Sequence, residues 1–289
     1  MMAPEYYIFT GERVPRHVTH FLIDKSLKFV LDHAFFGHPN IEEVICHDGV
    51  IKIGKDAFHN CPRLRRVIMP GVKIIERGAL SFCRALNYIE CGKLEFIGES
   101  AFIGCKSLIS INLPSIRIVG RWAFNACTLT SVMFGKKLES IGMQTFHNCA
   151  SLERIALPLK DGVIINDSTF QRCGKLDRVD LVEGAELSET VDALLLEEWK
   201  NDMNAEIEAI NQILPNTSAG SPNDGGGKAR EIRAWIGSVL LKIIRYKAEH
   251  QRYVNEATTT LQLALPNDIV FKNVLPFLEL PSYTFEGEN

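Results

Sequence analysis

The sequence predicts an α/β solenoid, with one short parallel strand in each coil of about 22 residues, followed by a C-terminal α-helical hairpin. Three observations predict it. Six of the eight cysteines stand at 61, 83, 105, 127, 149 and 173, in successive steps of 22, 22, 22, 22 and 24. Around them one phrase returns, as "AFHNCPRLRRVIMP", "AFIGCKSLISINLP" and "TFHNCASLERIALP". After residue 182 the phrase stops, and apolar residues recur at helical spacing instead.

Within each phrase an aromatic residue or Leu precedes the Cys by three positions and a Leu follows it by three. An Ile or Val three further on opens a short apolar run, as in Phe102, Cys105, Leu108, Ile111 and Leu113. Such alternation marks a half-buried strand. Cys127 has one residue fewer before Leu129, and the register recovers by Cys149, so the slack is taken up in loops.

A reactive thiol needs one special environment, so a nucleophile copied along a chain makes little chemical sense. We therefore expect Cys61, Cys83, Cys105, Cys127, Cys149 and Cys173 to form a reduced structural ladder of small buried hydrophobes. Adjacent coils lie roughly 4.8 Å apart. That distance would allow a disulfide, but stacked side chains run parallel and would bridge only with strained dihedrals. No CxxC occurs, so the spacing of a zinc site is missing.

A second phrase separates the runs: "IGKDAF", "IGESAF", "VGRWAF" and "IGMQTF". Gly54, Gly98, Gly120 and Gly142 are expected to supply a positive φ for a sharp turn. Pro70, Pro114 and Pro158 follow the apolar runs, where a missing N–H would end the ladder. The first unit, "HAFFGHPNIEEVIC", carries His38 where the others carry Cys, as an atypical end coil would. The expected division is an N-terminal cap over 1–27, a solenoid over 28–182 and a helical region over 183–289.

The pattern AFxxCxxLxxIxLP joined to an xxIGxx turn resembles the BspA-like (Treponema-type) leucine-rich repeat family. The resemblance covers roughly 28–182, with a looser strand ahead of it at "VTHFLID". It implies a curved leucine-rich fold and a role in binding or attachment rather than catalysis. No catalytic residue carries over.

Beyond the solenoid, Val191, Leu195, Trp199, Met203, Ile207, Ile210 and Leu214 fall on one helical face. A flexible loop is expected over 215–227, around "NTSAGSPNDGGG". Ile232, Trp235, Ile236, Val239, Leu240, Ile243 and Val254 then form a second face. Residues 183–208 hold nine Asp and Glu against one Lys, and 228–252 hold seven Lys and Arg against two Glu. Opposite charge on two apolar-faced helices predicts an antiparallel pair. The stretch "LALPNDIVFKNVLPFLELP" is similar to the opening of an F-box, but about twice the remaining residues would be needed; a final covering helix is expected there.

Chemistry is not written in this chain. There is no G-x-S-x-G, H-E-x-x-H or G-x-G-x-x-G. "GGGKAR" imitates the end of a phosphate loop, but the first required Gly falls on Pro222 and Ala229 follows Lys228. His59 and His147 share a phase four coils apart, about 19 Å, so they cannot share a metal. The pair in "HVTH" at 17–20 sits in a capping strand pattern. No enzyme activity, cofactor, metal or small-molecule substrate is expected.

A net charge of −3 argues against a general nucleic-acid partner, no run reaches the ~18 apolar residues of a membrane span, and no signal peptide opens the chain. The expected address is cytoplasmic or nuclear. The expected function is binding of a protein or peptide through the concave face of the repeats. If Val67, Ile89, Ile111, Val132, Ile155 and Val179 point inward, their neighbours point out. Those neighbours form one row of Arg66, Tyr88, Ser110, Ser131, Arg154 and Arg178, and another of Ile68, Glu90, Asn112, Met133, Ala156 and Asp180.

Candidate partner-binding residues are Arg66, Tyr88, Glu90, Asn112, Arg154, Arg178 and Asp180, with Tyr88 and Arg154 as anchors. One alternative is nucleic-acid or acidic-membrane binding through the basic helix 228–252, around Lys242, Arg245 and Lys247. The other is a ubiquitin-ligase-type adaptor acting through 265–278.

Overall fold

The computed structural model describes residues 5–182, 196–218 and 227–264. Among the described residues seven successive coils of the solenoid carry two parallel strands each rather than one. The longer strands are β1 (Tyr7–Phe9), β2 (His20–Ile23), β4 (Glu43–Ile45), β6 (Arg66–Ile68), β8 (Tyr88–Glu90), β10 (Ser110–Leu113), β12 (Ser131–Phe134), β14 (Arg154–Pro158) and β16 (Arg178–Val182). Between them run two-residue strands: β3 (Phe29–Val30), β5 (Lys52–Ile53), β7 (Ile74–Ile75), β9 (Phe96–Ile97), β11 (Ile118–Val119), β13 (Ser140–Ile141) and β15 (Ile164–Ile165). Two residues make no apolar run, so the second strand left no periodic signal of its own.

The short strands form one continuous seven-stranded sheet from β3 to β15. The long strands form a five-stranded sheet, β1 to β8, and a four-stranded sheet, β10 to β16. β1 and β2, inside the expected cap, extend the same ladder, with Phe21 opposite Val44 and Tyr7 opposite Phe21. Tight turns rather than helices close the coils, so the helices of this chain lie in its C-terminal region.

Inward side chains of all the sheets share one core. A column of phenylalanines runs through it, with ring centroids 5.1 Å apart for Phe102 and Phe124, 5.5 Å for Phe124 and Phe146, and 5.7 Å for Phe146 and Phe170. The planes differ by only 3° to 10°. One ring per coil at nearly the strand spacing forces this stacked arrangement. Leu80 takes the ring's place in one coil and is fully buried there.

The expected role of the turn glycines is corrected. Gly54, Gly98, Gly120 and Gly142 do not have positive φ. A Cβ on Gly98 would lie 2.6 Å from Arg77 N and 2.7 Å from Glu76 C, and one on Gly120 would lie 2.7 Å from Gly98 C. These residues are glycine because one coil's backbone rests on the next. The left-handed conformation falls two residues later, on Asp56, Ser100, Trp122 and Gln144, with φ between 51° and 57°. It falls again just before the ladder Cys, on Asn60, Phe82, Ala126, Asn148 and Arg172. Pro70 and Pro114 follow strand ends, whereas Pro158 is the last residue of β14 and lies opposite Val182.

Past the solenoid, α1 (Glu197–Ile213) leads through a 3-10 turn, Leu214–Asn216, toward α2 (Gly227–Ala264). Val191 and Leu195, residues 219–226 of the expected loop and the adaptor segment 265–278 lie outside the described residues. The two helices pack antiparallel. Trp199 stacks on Tyr246 at 5.2 Å, Lys242 Nζ lies 2.9 Å from both Asp202 Oδ1 and Glu206 Oε2, and Lys228 Nζ donates to Leu214 O at 2.9 Å. Trp199, Met203 and Ile210 are buried on one helix, and Ile232, Trp235, Val239 and Ile243 on the other.

This pair closes the C-terminal end of the solenoid. Asn211 Oδ1 accepts the Val179 N–H at 2.9 Å, the buried Lys228 ammonium also donates to Leu176 O, and Arg233 donates to Ile165 O. An open sheet edge is a template for unwanted pairing, and these contacts cover it.

Gly98→Ala should destabilise by about 1–3 kcal/mol through the overpacked backbone contact. Ser100→Gly should be neutral or stabilise by up to about 1 kcal/mol, because it relieves a left-handed residue. Denaturant melts check the order, and the reverse order would return the positive-φ role to Gly98. Trp235→Ala should cost the helical pair about 3–5 kcal/mol. Arg245, exposed and paired with Glu249 at 2.9 Å within its own helix, should cost far less than Trp235 as Ala. Hydrogen exchange of α1 reports both.

Candidate partner-binding face

The long strands put their outward residues in register. Arg66 lies opposite Tyr88, and Ser110, Ser131, Arg154 and Arg178 follow one another across β10 to β16. In the second row Ile68 lies opposite Glu90, and Asn112, Met133, Ala156 and Asp180 align. Their inward neighbours Val67, Ile111, Val132, Ile155 and Val179 are buried. Ile89 is only half-buried. It lies on β8, where the long-strand ladder is interrupted before β10, and Cys91 Sγ reaches Asn112 O only at 3.9 Å.

Charge on this face closes on itself at both ends. The Arg66 guanidinium meets Glu43 at 3.1 Å and lies 4.8 Å over the Tyr88 ring. Tyr6 Oη donates to Glu43 Oε2 at 2.5 Å, and that bond, with burial behind it, pushes the Tyr6 hydroxyl's pKa up. At the other end Arg154 and Arg178 both pair with Asp180. Between these networks lies an uncharged stretch of Ser110, Asn112 and Ser131, edged by the exposed Tyr88, Ile109 and Met133. Exposed Glu90 is the acid beside it. Tyr88 and Arg154 stand three coils apart, roughly 14 Å.

Three members of the row are absent from the sequence-based candidates. His20 and Glu43 continue it before Arg66, and Tyr6 caps it. Glu43 precedes the inward Val44 as Arg66 precedes Val67, so the same counting reaches it. Tyr6 carries no such signal, because its contact with Glu43 spans 37 residues.

The ladder cysteines lie away from this face, in the core. All eight cysteines are free and buried. Each ladder thiol donates to a backbone carbonyl of the preceding coil: Cys61 to Phe35 O, Cys83 to Phe58 O, Cys127 to Phe102 O, Cys149 to Phe124 O and Cys173 to Phe146 O at 3.0 Å, and Cys105 to Leu80 O at 3.3 Å. The position therefore wants a small apolar body with one donor. Burial drives the pKa of Cys173 up to about 12 and raises those of Cys83, Cys105 and Cys149 as well, so these thiols stay protonated. Among the described residues no group of three or more His, Cys, Asp or Glu could hold a metal ion.

His38 performs the ladder's task in the first coil. Its Nδ1 accepts the Ile41 N–H at 3.0 Å, and its Nε2–H then donates to Pro15 O at 3.1 Å. Thus the same coil geometry recurs from His38 to Cys173. A model of the BspA type leucine rich repeat region matches residues 15–116 and 95–190, in six copies. The chain belongs to this family.

Among solved structures, this BspA-type chain is similar to a leucine-rich repeat protein of T. pallidum, with 25% identity over 67% of this chain and 85% of that one, at a TM-score of 0.50. It is also similar to the pneumococcal vaccine antigen PcpA, with 19% identity over 62% of this chain and 55% of that one, at a TM-score of 0.41. A leucine-rich cell surface protein of Faecalibacterium prausnitzii shows 19% identity over 62% and 70%, at 0.36. No curated protein matches the chain.

Burial holds the His38 pKa below its ordinary 6.5, with the bond to Pro15 opposing. The folded state thus favours neutral His38, so its contribution is present above pH 6.5 and is lost as pH falls toward the depressed folded value. The melting temperature should drop between pH 7 and pH 5, and His38→Cys should flatten that drop. His147, also held low by burial, acts with the same sign, so part of the slope should remain until it too is replaced.

Proposed function

We propose that this BspA-type chain is a non-enzymatic interaction module that binds a protein or peptide across its long-strand face. The stretch from Tyr88 to Met133, uncharged but for Glu90, is the centre of the site. One observation carries the reading: the charges at both ends of the face are paired within the chain, while the middle offers exposed apolar and small hydrogen-bonding side chains with no such pairing. Large aromatic anchors surrounded by polar groups dominate most interfaces. Tyr88 suits that role. Arg154 suits it less, because Asp180 already holds its guanidinium.

The family's character as a repeat scaffold supports the reading, as do thiols kept protonated by burial. The basic helix gives weaker support to a phosphate ligand, since Arg230, Arg233, Lys242, Arg245 and Arg252 each face a carboxylate of the same chain. We place the protein in the cytosol or nucleus, an address that eight free cysteines suit.

A photo-crosslinking residue at Asn112 in the native cell identifies the partner. Tyr88→Ala and Met133→Ala should then each weaken binding by about tenfold or more. Arg154→Ala should change it less than about threefold, and raising salt should have little effect, unlike a phosphate contact. Unchanged affinity in both Tyr88→Ala and Met133→Ala would remove the site from this face.

A further inference from the structure

The outward residues of the short strands fall in one register across the whole solenoid, and five of the seven are apolar: Phe29, Ile74, Phe96, Ile118 and Ile164. Ile74, Phe96 and Ile118 are consecutive and 37% to 39% exposed, and the end members are more so. The outward face of a solvated sheet is usually polar. An apolar stripe that is unbroken from Ile74 to Ile118 and rimmed by charge marks an interaction surface instead.

The row that precedes these strands says what kind of surface it is. Over the seven strands it reads Lys28, Ile51, Lys73, Glu95, Arg117, Glu139, Val163, and the six from Ile51 onward run apolar, plus, minus, plus, minus, apolar. Lys73 pairs with Glu95 at 3.0 Å, and Arg117 with Glu139 at 2.6 Å. Reversed, the stretch from Ile51 to Val163 is its own complement, and Lys28 lies beyond it. A two-fold axis along the strand direction, between β9 and β11, would set Lys73 against Glu139 of a second copy and Glu95 against its Arg117. The same axis would set Ile51 against Val163, Phe96 on Ile118 and Ile74 against Ser140, with Phe29 beyond the overlap. Lys52 would face Ile164, and its ammonium keeps a partner in Glu76 at 2.7 Å.

We propose that the short-strand face is a two-fold interface with a second copy of this chain. Its size sets the strength. The strands that overlap, β5 to β15, are five spacings apart and span roughly 24 Å, and a four-residue band is roughly 13 Å wide. That is on the order of 300 Å² per copy, well under half of a standard interface, so the dimer is weak and reversible. The long-strand face, on another side of the shared core, stays open in both copies, and a dimer would present two of them.

Sedimentation equilibrium from about 5 to 500 µM should show a monomer–dimer equilibrium in the micromolar range. Phe96→Glu and Ile118→Glu should each weaken it by about tenfold or more with unchanged thermal melts. Glu95→Arg should weaken it, because it sets two cations against each other, and adding Arg117→Glu should restore most of the loss. Both side chains are surface-exposed, so this pair of variants serves even if Phe96→Glu disturbs folding. A monomer at every concentration would overturn the proposal, as would a dimer indifferent to both apolar variants or a double charge reversal no better than the single one.

Discussion

Backbone resting on backbone at the spacing of a parallel ladder is the constraint on which this molecule depends. With coils roughly 4.8 Å apart, whatever one coil places at a given phase meets the same phase of the next. The column at Gly98 and Gly120 has no room for a Cβ. Rings at Phe102, Phe124, Phe146 and Phe170 must stack. A thiol beneath a carbonyl finds it within reach, so Cys127 donates to Phe102 O and Cys149 to Phe124 O. The left-handed residues are a consequence: the chain must turn sharply twice in each coil to return in register.

Toward each end of the stack a residue departs from the repeat, although β1 and β2 continue the ladder beyond the first of them. At the first coil His38 fills the ladder position with a larger ring, which reaches Pro15 in the segment before it. At the last coil Lys228 comes from a helix 52 residues away from Leu176 to satisfy its carbonyl, while Asn211 accepts the Val179 N–H. A buried ammonium is costly, and burial lowers the Lys228 pKa, but two carbonyl acceptors offset that cost. The acidic and basic helices are thus an end cap as much as a pair: their apolar faces hold them together, and their polar side chains seal the edge.

On both strand faces, charged residues pair within the chain. Glu43 with Arg66, and Asp180 with Arg154 and Arg178, close the ends of the long-strand face and leave a middle that is uncharged but for Glu90. Lys73 with Glu95, and Arg117 with Glu139, rim the short-strand face in the same way. Exposed pairs of this kind add little stability. What they do is set which parts of each face are left for apolar contact, namely Tyr88 and Met133 on one and Ile74, Phe96 and Ile118 on the other.

By itself the sequence determined the period, the coil, the inward side chains and the change to helices after residue 182, because a side chain copied every 22 residues has to serve the same local purpose each time. The rows through Tyr88 and Arg154 followed from the alternation of a strand. Tertiary structure decided what the period does not encode. A two-residue strand has no alternation of its own, so the apolar stripe through Phe96 became visible only once seven of them were aligned. Gly98 is a glycine because of Glu76 and Arg77 in the neighbouring coil, not because of its own φ. Contacts such as Tyr6 with Glu43, Arg154 with Asp180 and Lys228 with Leu176 join residues 26 to 52 apart, and only the folded stack brings them within a hydrogen bond.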